Sequence, residues 1–343
     1  MRQQHRNYLF ILGRNVSVCH GKDFVTNAEL QSLISTLPRL IEAGVAASTK
    51  TKYQRSWWKW EQFCVDKSEV VSRPADPFFI AVYFNHLLMT TGTRGSIQDA
   101  MYGIRWGHIS AGFYSPTDHP FVKLTYEGAI RLSNYSGTNK KDPVTASMLR
   151  HLIDTYSHQT DLMTQRFLLI CLLGFAAFMR IEEMLDVKVK DITFYPKYMT
   201  INVPKSKNDQ TREGNIIYVS EIRSRYCPVA HTAAYITIAK LEQSDFLICK
   251  LAKTKRGHNV VGSHQMSYSR IREVFLEFMR PHFPSINLGL HGLRAGGASA
   301  AAENQISDRL ISKHGRWTSE KARDGYIKDS VRNRLEVTKH LGL

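Results

Sequence analysis

With 343 residues and 43% apolar content, the chain can bury two hydrophobic cores, and a scale of about 150 residues per domain sets the expected count at two. Lys and Arg outnumber Asp and Glu by 46 to 30, and the formal charge of +16 is spread along the chain, which makes a polyanion the first partner to consider. The five cysteines (Cys19, Cys64, Cys171, Cys227 and Cys249) are scattered, odd in number and never spaced C-x-x-C, which argues against a disulfide framework or a zinc site and for a reducing compartment. The longest apolar run, residues 167–179, is shorter than the roughly 20 residues that a membrane-spanning helix needs. The apolar patch at residues 8–12 precedes no clear cleavage site, so no secretory signal and no membrane partner are expected.

Residues 1–20 read as a tail. From Ser48 onward, Tyr53, Trp57, Trp60 and Cys64 recur at helical spacing behind a Ser or Thr able to cap the first turn, which predicts an amphipathic helix. Lys52, Arg55 and Lys59 recur on another face, either along phosphates or as an ordinary solvated surface. Two more helices are predicted over residues 78–89 and 96–111; Ile97, Met101, Ile104 and His108 share one side of the second, and Arg105 adds a further candidate DNA contact. Residues 133–143, rich in Ser, Asn, Gly, Lys and Pro, read as an exposed connection. The boundary is placed there, giving a helical unit over 21–135 and a second unit over 136–343. Beyond it, residues 145–158 and 164–179 read as helices, 198–203 and 215–219 as strands flanking a polar loop, and the stretch from Ser267 as mainly helical. The expected fold class is mainly α with a small β-sheet.

Four short motifs follow in order. Arg180 comes directly after the apolar helix and three residues before Glu183, a spacing that alone reads as a structural salt bridge. Lys207 sits in the polar loop between the strands. His291 and Arg294, in H-G-L-R, are one helical turn apart and able to point the same way, and a run of small residues follows them. Last, in H-G-R-W-T-S-E-K-A-R-D-G-Y-I, Trp317 precedes Tyr326 by nine residues. Each motif by itself is weak.

In this order and at these spacings the four motifs resemble the tyrosine recombinase, or phage integrase, family. The segment around Arg180 and Glu183 looks like the corresponding part of Cre, G-R-W-T is similar to its G-W-T, and the N-terminal half resembles the core-binding domain of the Cre and Xer enzymes in its helical pattern only. G-R-W also resembles the eukaryotic DIRS and Crypton elements of mobile DNA. The resemblance implies an all-helical core-binding domain followed by an α+β catalytic domain with a C-terminal helix. It also implies a site-specific recombinase that cuts and rejoins DNA through a 3′-phosphotyrosine, giving integration, excision or inversion.

On that resemblance Tyr326 is the nucleophile, Arg180 and Arg294 clamp the scissile phosphate, and His291 assists deprotonation of the phenol. Lys207 is the general acid, with Lys205, two residues away, as its competitor. Trp317 donates its indole N–H to a phosphate oxygen, and Glu183 orients Arg180 or His291. His314 competes with Trp317 for that role, but it lies twelve residues before Tyr326 where the family's residue lies nine before. Lys52, Arg55, Lys59, Arg105 and Lys205 are the expected DNA contacts. No metal or cofactor is required, and the partners implied are double-stranded DNA with inverted-repeat sites and three further copies of the chain, joined through the C-terminal helix. The protein is expected inside the cell, in the nucleus of a eukaryote or the cytoplasm or nucleoid of a bacterium or phage. A type IB topoisomerase, a telomere-resolving enzyme and a catalytically inactive DNA-binding relative remain as alternatives.

Overall fold

The computed structural model describes residues 25–65, 67–134, 140–204, 215–254 and 257–341. Its contacts divide the chain into two compact units, Met1–Asn139 and Lys140–Leu343, so the division falls a few residues after the boundary read from the sequence.

The described part of the first unit is helical: α1 (Ala28–Ala43), α2 (Ala47–Val65), α3 (Pro77–Thr90), α4 (Arg94–Ile109) and α5 (Pro120–Leu132). Trp57, Trp60, Phe63 and Cys64 form the buried stripe of α2, as the aromatic spacing predicts. Pro77 begins α3 where its missing N–H costs nothing, and the Asp76 carboxylate caps the turn by accepting from the Phe78 N–H at 2.7 Å. Helices α2 and α4 cross closely because α4 offers glycine at the contact: a Cβ on Gly107 would stand 2.1 Å from the Trp57 ring. His108, fully buried in the core, accepts from the Ala75 N–H at 3.0 Å and donates from Nδ1 to the Ile104 carbonyl at 2.8 Å. Burial holds it neutral, below the ordinary histidine range, and the Ile104 carbonyl only partly offsets this.

The second unit is built around α7 (Leu162–Ala176), preceded by α6 (Ala146–Tyr156). Every residue of α7 from Thr164 to Gly174 is buried, so the apolar run is the central core helix, and no helix among the described residues is long and apolar enough to cross a membrane. A short helix α8 (Ile181–Asp186) leads into an antiparallel sheet of β1 (Ile192–Tyr195), β2 (Tyr198–Val203) and β3 (Asn215–Ser220), in that order. Alternation along the strands drives Met199, Ile201, Val203, Ile217 and Val219 into the core, with Ile201 opposite Ile217 and Met199 opposite Val219.

Then come α9 (Pro228–Ile238), a second hairpin of β4 (Cys249–Thr254) and β5 (Gly257–Gln265), α10 (Tyr268–Met279), α11 (His291–Glu303), α12 (Asp308–Gly315), α13 (Glu320–Asp324) and α14 (Val331–Lys339). The small-residue run in α11 has a steric cause: a Cβ on Gly296 would stand 1.8 Å from the Val144 carbonyl oxygen, so only glycine lets α11 seat against the start of this unit. The fold is thus mainly α with a small sheet.

Candidate active site

Three turns of the second unit bring the predicted residues together. Helix α7 ends at Ala176, and Phe178, at a φ of 46°, turns the chain so that Arg180 opens α8. Helix α11 starts at His291 and carries Arg294 one turn in. Helix α12 ends at Gly315 and is capped by Arg316, whose φ of 57° and ψ of 42° lie in the left-handed region, and this turn delivers Trp317.

At the centre lies the carboxylate of Glu183, its side chain 3% exposed. Its Oε1 accepts from Arg180 Nη1 at 2.5 Å, and Oε2 accepts from the Arg180 backbone N–H at 3.0 Å. Oε2 also accepts from Arg316 Nη2 at 2.6 Å, and Arg294 Nη1 stands 3.9 Å from the same oxygen. Burial favours the protonated acid, but Arg316 and then the Arg180 N–H and guanidinium prevail and hold the Glu183 carboxyl below the ordinary range. Arg180 is shifted the other way: burial opposes its charge, and Glu183 and the Tyr326 hydroxyl more than restore it.

The side chain of Arg294 is 1% exposed and is fixed by backbone: it donates to the carbonyls of Phe178 and Gly315. Burial first, then repulsion from Arg180 and Arg316, push it down to about 9, which leaves it charged at neutral pH. Its guanidinium carbon lies 4.6 Å from the centre of the Trp317 ring and 5.0 Å from that of Tyr326, and the two rings are 5.2 Å apart. Trp317 also packs on Phe178, in a small cluster with Ala298 and Ile311 against which Tyr326 rests.

The tyrosine is held by its own unit. The Tyr326 N–H donates to the Arg323 carbonyl at 2.9 Å, and Arg323 ties α13 to α12 through Asp308 at 3.2 Å. Just beyond, the Lys328 N–H donates to Ser299 Oγ on α11 at 2.9 Å, and its ammonium pairs with Asp142 at 3.0 Å. That ammonium, with the Asn287 N–H, holds the Asp142 carboxyl below the ordinary range despite partial burial.

The structure therefore brings Arg180, Glu183, Arg294, Trp317 and Tyr326 into one cluster. His291 is exposed at the first position of α11 and forms no hydrogen bond or ion pair among the described residues, so it and the buried Arg294 share a helix but not an environment. The Trp317 N–H is buried without an acceptor among the described residues; what the side chain does here is pack. His314 anchors α12 to the end of α7, donating from Nε2 to the Ala176 carbonyl at 2.8 Å and meeting the Phe178 ring edge to face. Lys205 and Lys207 lie outside the described residues. Arg316 was not identified from the sequence, because its partner Glu183 is 133 positions away and no spacing rule connects them.

In the first unit Lys52, Arg55 and Lys59 line one groove of about 780 Å³ with Thr51, His86 and Asp99. Lys52 pairs with Asp99 at 2.7 Å, and Arg105, elsewhere on the unit, pairs with Asp118 at 2.5 Å. Arg55 and Lys59 are exposed and form no ion pair among the described residues. No group of three His, Cys, Asp or Glu able to hold a metal occurs among the described residues.

No protein-family model matches the chain. It is 25% identical over 312 residues to an integrase/recombinase XerD homolog of Selenomonas ruminantium, an alignment covering 87% of this chain and 88% of that protein. Over most of both lengths the chain is therefore similar to a tyrosine recombinase. The fold is also that of the Tn1549 transposon integrase solved with transposon right-end DNA, at 12% identity and a TM-score of 0.56, covering 87% of this chain and 95% of that one. A lambda integrase dimer bound to a COC′ core site matches the chain with a TM-score of 0.54 at 15% identity, covering 88% and 96% of the two chains.

Proposed function

We propose that this recombinase cuts one strand of a DNA site with Tyr326 and rejoins it to a different strand. The observation that carries the residue assignment is the cluster itself: a half-buried phenol beside a tryptophan, facing two guanidiniums that are held in place by one carboxylate and two carbonyls. Phosphoryl transfer needs positioned positive charge far more than covalent variety, and fixed arginines supply it without reorganisation during reaction. In the step, the Tyr326 oxygen forms a bond to phosphorus while the bond to the 5′ oxygen breaks. The phenol proton leaves to a base, a role that the family resemblance gives to His291, which is exposed at the start of α11. The departing 5′ oxygen takes a proton from Lys207, with Lys205 as the competing donor; the family resemblance supports both. Because the phosphotyrosine keeps the energy of the broken bond, a second 5′ hydroxyl attacks it and rejoins DNA without a nucleotide cofactor.

Two finer readings follow. The exposed cations of α2, Arg55 and Lys59 foremost, run along the DNA backbone. Exchange requires two duplexes in one complex, and the proposed tetramer on inverted repeats uses α14, which presents Val331 and Leu335 to solvent. A groove of about 560 Å³ on the catalytic unit, lined by Phe175, Ile216, Tyr218, Ile306 and Leu310, fits that helix from a second copy.

The test is capture of the covalent complex. The full chain is incubated with nicked duplexes drawn from the DNA flanking its own gene, and protein-bound fragments are recovered after denaturation. The wild-type chain is expected to retain 3′-linked DNA and Tyr326→Phe none; retention by Tyr326→Phe removes the nucleophile assignment. Relaxed circles without exchange would move the reading to a type IB topoisomerase, and hairpin ends to a telomere-resolving enzyme.

A further inference from the structure

Arg316 is the one charged group at the centre of the cluster that the proposed reaction leaves unused. Its side chain is 6% exposed, and both terminal nitrogens are already taken up by acceptors of the protein itself. It is held in place on three sides: Nη2 donates to Glu183 Oε2 at 2.6 Å and to the Phe178 carbonyl at 3.3 Å, and Nη1 donates to the His314 carbonyl at 3.3 Å. The backbone enters the left-handed region to allow this, a conformation that a side chain other than glycine adopts against its preference.

Two consequences of this placement bear on phosphoryl transfer. First, Oε2 of Glu183 is engaged by Arg316 and not by Arg294, whose nearest nitrogen stays 3.9 Å away. Second, three guanidiniums share one carboxylate, so the cluster carries two net positive charges, and without Arg316 it would carry one. A phosphodiester has one negative charge before reaction and more on its non-bridging oxygens as the entering and leaving oxygens both bond to phosphorus. A pocket with two positive charges matches the transition state better than the bound substrate, and only that difference accelerates the chemical step.

We propose that Arg316 is a positioning residue for strand cleavage: by occupying Oε2 of Glu183 it keeps Arg294 from being drawn into the carboxylate, and it maintains the second net positive charge behind the scissile phosphate. The rival account is a purely structural clip joining the end of α12 to α8. The inference rests on the recombinase reading above.

The experiment compares wild type, Arg316→Gly and Arg316→Lys in single-turnover cleavage of one nicked duplex that the wild-type chain has captured. The duplex is made once with the natural phosphate and once with a methylphosphonate, which removes the formal charge, at the scissile position. Glycine accepts the left-handed backbone without strain, and lysine restores the charge. Arg316→Gly is expected to cleave the phosphate on the order of 10- to 100-fold more slowly, less than the roughly 10²- to 10³-fold that follows loss of a direct donor to a transition state, because Arg316 acts through its neighbours, with unchanged DNA affinity. The deficit is expected to shrink on the methylphosphonate, and Arg316→Lys to recover much of the rate. An equal deficit on both substrates, with a lowered melting temperature, establishes the structural clip and overturns the proposal, as does an undiminished rate in Arg316→Gly. A wild-type chain that forms no covalent complex on any duplex fails before any substitution is made; it overturns the recombinase reading, and the inference with it.

Discussion

The two units place arginine and lysine in opposite settings. In the first, the cations lie on the outside of α2 and α4: Lys52 and Arg105 rest against Asp99 and Asp118, and the core beneath them is aromatic, closed by Trp57, Trp60 and Phe63. In the second, Arg180, Arg294 and Arg316 lie inside, with side chains 11%, 1% and 6% exposed, sharing Glu183. Exposed pairs contribute about 0–1 kcal/mol each, are weakened by salt, and leave their charges free to exchange partners. Breaking a buried pair costs about 3–5 kcal/mol because a charge is left without water or partner. The first arrangement suits a long polymer bound at many equivalent points, and the second suits one phosphate held in one geometry.

The contrast makes the effects of substitutions graded. The largest belongs to the buried set: Arg180→Ala is expected to slow covalent complex formation by about 10³-fold, as loss of a principal donor to a transition state does. A 5′-bridging phosphorothiolate, whose leaving group needs no proton, should not restore it, whereas the same substrate should restore Lys207→Ala. Restoration of Lys205→Ala alone would transfer the acid role to that residue. Next comes the terminal helix. Deleting residues 334–343 is expected to abolish strand exchange between two duplexes while cleavage of a nicked duplex stays within about threefold, because the deletion removes a contact between copies and no donor to the phosphate. Undiminished exchange would remove the tetramer contact. The smallest effects belong to the surface set. Arg55→Ala and Lys59→Ala are expected to weaken DNA binding equally across sequences and to lower the slope of log affinity against log salt by about 0.9 each. A sequence-dependent loss would mean that these side chains read bases.

Local signals carried the elements with strong periodicity. The aromatic spacing of α2, the alternation of β2 and β3 and the unbroken apolar run of α7 each state in a few residues which face is buried, and the structure places all of them within three residues of expectation. The hairpin of β4 and β5 escaped because its burial alternates weakly and lysines interrupt it. Strand β1 escaped because it has four residues, of which only Ile192 is buried. In the site, the motifs named the residues that the fold assembles, but they did not state what holds those residues. Arg316 stood in plain view inside G-R-W, where it resembled a subfamily marker. Its role comes from a left-handed turn and an ion pair across 133 positions, neither of which a local pattern encodes. The environment of His291 was equally hidden: helical spacing put it beside Arg294, and only the packing of α11 shows that one is exposed and the other enclosed.

The short ties on either side of Tyr326 have a consequence for how copies of the chain divide their labour. Arg323 fastens the approach to the tyrosine, and Lys328 fastens its exit to Ser299 and Asp142, all within the unit that carries the arginines. On the proposed assignment of Tyr326 as nucleophile, ties on both sides within one unit favour attack on the phosphate held by the same chain. In the proposed tetramer each copy would then make its own break, and assembly would serve to choose which ends are joined.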